Sequence, residues 1–239
     1  MSAAQPPRAT AWLVGILVAI SLFGNFYVYD SIGPVADLLQ QQRGFSDTQV
    51  GLLNAIYNLP NVVLILVGGV LVDRFGAARM TLVTAGICAL GAALTAFSPD
   101  FTGMAAGRLL YGIGAETFNI ATLAAVADYF GGRGLALAMG LELAIGRLGS
   151  YGADMSPTWF AGAYAQGWQP PLVIAAVIAA TQLRWATGSA AWPAERFAGV
   201  AADMPPDPPR LARVRLHTSG AHRSMSSRTS SKERPLTWI

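Results

Sequence analysis

Glu116 and Arg147 are the residues of this chain best placed to do chemistry. Each stands well inside an apolar stretch, where a charge is costly unless it faces a bundle interior, a cavity or a partner. Glu116 lies eight residues after Arg108 and three before Asn119, so the three roughly share a helix face. Arg147 falls about thirteen residues into the next helical stretch, a depth that matches Glu116 if the two stretches are antiparallel neighbours. Such a pair has two readings. It is an ion pair that fixes the bundle, or it is a cationic and an anionic anchor lining one cavity. The two are compatible if the pair separates when a solute arrives. Polar and aromatic groups gather at two further points, Tyr57-Asn58 with Pro60-Asn61, and Tyr27 with Tyr29-Asp30. Each tyrosine there is either bundle core or a solute contact. Glu142 and Asp154 rank below Glu116, Glu142 because it lies nearer one membrane interface and Asp154 because it lies nearer the other. Arg108 lies two turns into its helix, which suits a structural or gating role, or a side chain that snorkels outward.

Enzyme chemistry has no foothold in these residues. No nucleophile–base set, metal-ligand spacing or cofactor fingerprint is visible, and neither a metal nor a cofactor is expected. Both histidines, His217 and His222, lie in a polar tail, and the one cysteine, Cys88, sits in an apolar run. The elements that must carry Glu116 and Arg147 are membrane helices. Of 239 residues 53% are hydrophobic and only 12% charged, with mean hydropathy +0.44. Soluble domains carry roughly 25% charged residues. The first apolar run has no small-residue cleavage site after it and reads as a retained helix.

The apolar runs and their punctuation predict about six spans: Trp12 to Leu39, Ser46 to Val72 kinked at Pro60, Met80 to Phe97, Phe101 to Phe130, Leu135 to Phe160, and a marginal one from Pro171. Gln40 to Arg43 and Gly162 to Pro171 read as loops. The domains expected are a short N-terminus over 1–11, a bundle over 12–187, and a disordered basic, proline-rich tail over 188–239. Charge separates the last two. Up to Leu183 there are seven arginines against nine carboxylates, and from Arg184 onward eight arginines and one lysine against four. Alternating sides puts Arg8, Arg74, Arg79, Arg133 and the tail on one face and Arg43 on the other, so both termini are expected to be cytoplasmic. Helices 4 and 5 are dense in glycine, which suits close helix approach in lipid.

Between the second and third spans stands Gly69-x-x-x-Asp73-Arg74-x-Gly76-x-x-Arg79. It resembles the loop between helices 2 and 3 of the major facilitator superfamily of secondary transporters. Arg108-x-x-x-Gly112-x-Gly114 resembles the helix 4 element of the same family. Asn25-x-x-x-Tyr29-Asp30, Tyr57-x-x-Pro60-Asn61, Gly114-x-Glu116 and Arg147-x-Gly149-Ser150 resemble one branch of it, which includes dipeptide transporters of the lysosome. The resemblance implies an all-α, polytopic membrane protein, here the six-helix N-terminal half of the fold followed by the disordered tail. It implies a gating or structural set in Gly69, Asp73, Arg74, Gly76, Arg79, Arg108, Gly112 and Gly114, and the place of Asp128 and Arg133 at the turn between helices 4 and 5 leads us to expect them to pair with the Asp73-Arg74 loop. It also implies that Glu116 and Arg147 hold the two charged ends of a dipeptide, and the polar groups of the neighbouring stretches, Tyr57, Asn119, Tyr29 and Asp30, complete the expected solute-binding set. Ala77, Ala78 and Glu142 depart from the family's pattern, where the first two are usually basic and the third glutamine.

The expected function is therefore secondary-active or facilitative transport of small organic solutes, best a short peptide or amino-acid-like zwitterion. Competing readings are an inert or assembly-only membrane fragment, from a truncated or frameshifted frame, and a drug or sugar permease. The partners expected are the lipid bilayer, a small solute and a missing six-helix C-terminal half, with no nucleic acid. The expected place is a multi-pass position in the membrane, the plasma (inner) membrane in a bacterium.

Overall fold

The computed structural model describes the backbone of residues 8–130 and 134–201, and the compact unit reaching residue 194 is the one treated below. No strand occurs among the described residues. Residue Arg133 and the tail beyond residue 201, with the disorder expected of it, lie outside them.

The first span is α1 (Arg8–Asp30), which stops where Gly33-Pro34 follows. Proline withdraws an N–H and disfavours helical backbone before it. A 3₁₀ turn at Gly33–Val35 leads into α2 (Ala36–Arg43). Gln40 to Arg43, expected as a loop, are thus helical. The loop begins at Gly44, whose φ of 67° ends the helix and aims its N–H back at the Leu39 and Gln40 carbonyls.

The second span is broken, not kinked. Its first half, α3 (Asp47–Ala55), starts at a capping box between Ser46 and Gln49. A 3₁₀ turn at Ile56–Asn58 interrupts it, and α4 (Asn61–Phe75) resumes after Pro60. The proline ring excludes the carbonyl one turn earlier, at Ile56, which is where the α-helix gives way. At the N-terminal end of α4 its missing N–H is harmless. The α4–α5 reversal takes one residue. Gly76 holds φ 86° and ψ 145°, backbone open to glycine and strained for other residues, so α5 (Ala77–Phe97) begins three residues before the expected Met80.

Asp100 caps α6 (Phe101–Tyr129) by accepting from the Gly103 N–H at 3.1 Å. Then come α7 (Leu135–Trp159), a short α8 (Ala161–Gln166) where a loop was expected, and α9 (Gln169–Ala201). Helical backbone continues past residue 187, where the bundle was expected to end.

Two pairings dominate, α5 on α6 and α1 on α7. Glycine permits both. A Cβ on Gly91 would collide with the Tyr111 backbone, and one on Gly149 with the Phe23 carbonyl. The interior they enclose includes Ile32, Leu39, Leu53, Met104 and Tyr111. Large apolar side chains such as Leu13, Val63, Val70, Leu90 and Leu137 stand exposed, as they do on a surface that meets hydrocarbon. Among the described residues three stretches are long and apolar enough to cross a membrane: Ala11–Arg43, Ala77–Phe97 and Phe101–Ala127. The second span falls short because it is broken, and α7 carries Glu142, Arg147 and Asp154.

Candidate functional site

The helix breaks leave carbonyls without intrahelical partners, and the site is built on them. The end of α1 and the end of α3 both face α6 at Arg108, which is 1% exposed. Its Nη1 donates to the Val28 carbonyl at 2.9 Å, its Nη2 to the Tyr29 carbonyl at 2.6 Å, and its Nε to the Leu53 carbonyl at 3.0 Å. The planar fork supplies donors in three directions, and a cation suits the carbonyl end of a helix. The guanidinium also lies 4.6 Å from the centroid of the Tyr57 ring. Arg108 does not snorkel. It joins two interrupted spans to a third, and its hydrogen-bond partners are backbone carbonyls, not a carboxylate.

The spacing Arg108-x-x-x-Gly112 follows from the same geometry. One turn beyond Arg108, a Cβ on Gly112 would collide with the Tyr57 carbonyl, so the broken backbone of the second span rests on a bare stretch of α6. Gly114 does the same toward α5, where a Cβ would stand 2.9 Å from the Cys88 nitrogen and the Thr84 oxygen.

Beside this joint the polar side chains of α1 and α6 interlock. The Tyr111 hydroxyl reaches the Asn25 carbonyl at 2.6 Å and its side-chain Oδ1 at 2.8 Å. Asn25 Nδ2 donates to Asn119 Oδ1 at 2.9 Å. The Tyr29 hydroxyl donates to Glu116 Oε1 at 2.5 Å, a short charge-assisted bond. The Tyr29 ring meets Tyr57 edge-on at 4.6 Å between centroids and Phe26 at 5.8 Å. On the far side of Phe26, the Arg147 guanidinium lies 4.6 Å from that ring. Arg147 is exposed, while Glu116 and Tyr57 are half-buried.

The structure thus brings Tyr29, Tyr57, Glu116 and Asn119 into one cluster around α1 and α6. Asp30 stands half-buried at the end of α1, near enough for its charge to act on Arg108. Arg147 approaches the cluster through the Phe26 ring, which itself meets the Tyr29 ring. Helix α7 packs on α1, through Gly146 and Gly149, more than on α6. Among the described residues no ion pair joins Glu116 to Arg147, and the aromatic pair Phe26–Tyr29 stands between them. Phe26, Asn25 and Tyr111 were not among the expected site residues. Asn25 had a signal, as a polar side chain one turn before Tyr29, and Tyr111 had one three residues after Arg108. Phe26 had none, since an aromatic in an apolar run reads as core.

At the hairpin, Asp73, Arg74 and Arg79 are exposed around Gly76, with Arg74 stacked 5.6 Å from the Phe75 ring. A Cβ on Gly69 would meet nothing within 4 Å, so that glycine has open space beside it. The Asp128 side chain lies outside the described residues, as Arg133 does, so the expected pairing with Asp73 and Arg74 falls there. Glu142, expected near an interface, is 4% exposed, and Asp154 is exposed.

The family model for the Major Facilitator Superfamily matches residues 18–202. The lysosomal dipeptide transporter MFSD1 of Mus musculus is 33% identical over 143 residues, 56% of this chain and 31% of that protein. Its counterpart in Homo sapiens is 32% identical over 142 residues, 58% of this chain and 30% of that protein. A gentisate transporter of Corynebacterium glutamicum is 26% identical over 137 residues, 57% of this chain and 31% of that protein. The matched region thus spans about a third of the length of these relatives.

Proposed function

Because the chain belongs to the major facilitator superfamily, we propose that its bundle is one wall of a transport pathway for short peptides or similar zwitterions. Glu116 takes the ammonium end of the solute and Arg147 the carboxylate end. The observation that carries this is the separation of the two charges. Glu116 is bonded to Tyr29 and Arg147 lies over Phe26, one turn apart on α1, and among the described residues no ion pair joins the two charges. A zwitterion of peptide length needs a fixed anion and a fixed cation held apart, with apolar surface between for the body of the molecule. Arg147 supplies a permanently charged planar fork suited to a carboxylate. Glu116, already oriented by the Tyr29 hydroxyl, keeps its second oxygen for an ammonium donor. The dipeptide transporters among the relatives support the same substrate class.

Transport by alternating access needs two halves rocking about a central site. Arg147 stands exposed on this wall, and a second six-helix half facing it would close the cavity. Such a half is the partner proposed. The setting proposed is the plasma membrane of a bacterium, with both termini cytoplasmic and the Gly76 hairpin on the same side.

The test uses the full chain in proteoliposomes, alone and with a co-expressed C-terminal half from a relative. Labelled dipeptide uptake should appear with the second half, and Arg147→Ala should abolish it while the protein remains in the membrane. Undiminished uptake by Arg147→Ala overturns the assignment. The gentisate-transporter relative favours a second reading, an organic anion held by Arg147 alone. A dipeptide with its amino end acetylated separates the two. It should be refused if Glu116 reads an ammonium and accepted if Arg147 acts alone.

A further inference from the structure

Glu142 takes no part in the solute site described above. It lies two turns into α7, is 4% exposed, and its Oε2 has no hydrogen-bond partner. The small pocket around it is lined by Trp12, Gly15, Ile16 and Ala19 of α1 and by Phe130 after α6. Its own helix adds only apolar side chains to that lining. No charge among the described residues faces it from α1, and the nearest charge on α7, Arg147, is turned to the Phe26 ring. From α6 the facing group is the Thr122 hydroxyl. That hydroxyl donates its one hydrogen to the Asn119 carbonyl at 3.0 Å. A hydroxyl rotates, and toward Glu142 it serves a carboxyl as acceptor or a carboxylate as donor. An ionised carboxylate with an unpartnered oxygen in apolar surroundings is the costliest state this pocket could hold.

We propose that Glu142 is a proton-binding site of this bundle, a carboxyl that holds its proton against Thr122 while α1 and α7 are closed over it. One O–H bond forms at Glu142 when the proton is taken up from water, and it breaks, returning the proton to water, when the Trp12–Phe130 stack beside the pocket opens. Both helices begin on the side of the membrane that carries the Gly76 hairpin, so the proton exchanges with that side. Thr122 lies one turn from Asn119, which is bonded to Asn25. The proton site and the proposed solute site therefore share α6 as their common wall.

The experiment is infrared spectroscopy of the full chain in lipid vesicles, without solute, as pH is raised. Its outcome is independent of the transport reading. The wild-type protein should show the C=O stretch of one protonated carboxyl per chain in an apolar setting. That band should disappear as pH rises and be absent from Glu142→Gln at every pH. Emission from Trp12, read as the difference between wild type and Trp12→Phe, should change along the same titration. Identical carboxyl bands in wild type and Glu142→Gln overturn the proposal. If Glu142→Gln fails to fold, the wild-type titration decides it, and Trp12 emission that does not follow pH overturns the proposal equally.

Discussion

Arg108→Ala should destabilise the bundle more than any other single side-chain truncation described here, and its magnitude can be worked from the contacts. The guanidinium makes three bonds to carbonyls, at 2.6, 2.9 and 3.0 Å, and covers the Tyr57 ring at 4.6 Å. Each carbonyl left unpaired in the interior costs roughly 1–3 kcal/mol, and the lost cation–π contact adds about 1 kcal/mol. Against that stands relief of the desolvation of a buried cation, several kcal/mol in the opposite direction. The Val28 carbonyl keeps the Ser31 hydroxyl at 2.8 Å, so the Tyr29 and Leu53 carbonyls are the two that lose their side-chain donor, and the net effect is a loss of roughly 2–4 kcal/mol. For a chain of this length that is a fall in melting temperature of about 10 °C, at roughly 2–4 °C per kcal/mol. Arg108→Lys should fall between, since one ammonium cannot reach three carbonyls that diverge around a planar fork. The assay is thermal unfolding of the purified full chain in detergent, paired with amide exchange read over residues 28–35 and 53–60. Exchange should rise first in those two segments. If Arg108→Ala melts within a degree or two of wild type, or if exchange rises evenly along the chain, the guanidinium is not the joint between the two broken spans.

Gly112→Ala should cost about 1–3 kcal/mol through overpacking on the Tyr57 carbonyl, while Gly69→Ala, with nothing within 4 Å, should leave the melting temperature unchanged or slightly raised. Equal effects in the same unfolding assay would show that Gly112 is not a contact point. Tyr29→Phe should lose about 1.5–3 kcal/mol by removing the 2.5 Å bond to Glu116, and Glu116→Gln should cost little more when added to it, because the two act through one bond. A double-mutant cycle measures this, and simple additivity refutes it. Gly76→Ala, at φ 86°, should cost about 1–3 kcal/mol and speed protease cleavage between α4 and α5, whereas unchanged cleavage would mean the reversal tolerates a side chain.

The fold was legible where the sequence carries a local, one-residue cause. Pro60 marked the weak point of the second span, Gly76 the reversal, Ser46 and Asp100 the helix starts. The extent of the Pro60 effect was not legible. A proline inside a helix either kinks or breaks it, and the outcome depends on whether something else accepts the freed carbonyls. Here Arg108, 55 residues away in sequence, accepts from Leu53, and that contact has no local signature. The same limit applies to the site. Glu116, Asn119, Tyr29 and Tyr57 announced themselves as polar groups in apolar sequence, and they do cluster. The expected adjacency of α6 and α7 rested on a short connection. It yields to packing, because Gly146 and Gly149 let α7 close on α1 at van der Waals range and no comparable contact draws it to α6. Phe26, the residue that separates the two charges as a result, could not be singled out by residue type.

Tyr29 gives the arrangement its logic. Its carbonyl is held by Arg108 at 2.6 Å and its hydroxyl by Glu116 at 2.5 Å, so one residue of α1 is gripped at both ends by α6. It sits one residue before α1 ends, and its ring touches Tyr57 at the break in the second span. An ammonium arriving at the second oxygen of Glu116 draws on the same carboxylate charge that holds the Tyr29 hydroxyl. Loosening that bond acts on the backbone at the point where α1 and the second span are already interrupted, and where few helical hydrogen bonds resist movement. Gly112 and Arg108 keep the two interruptions seated on α6 in the meantime. The helix breaks, the buried arginine and the half-buried acid are therefore parts of one joint, and the solute proposed for Glu116 would act directly on it.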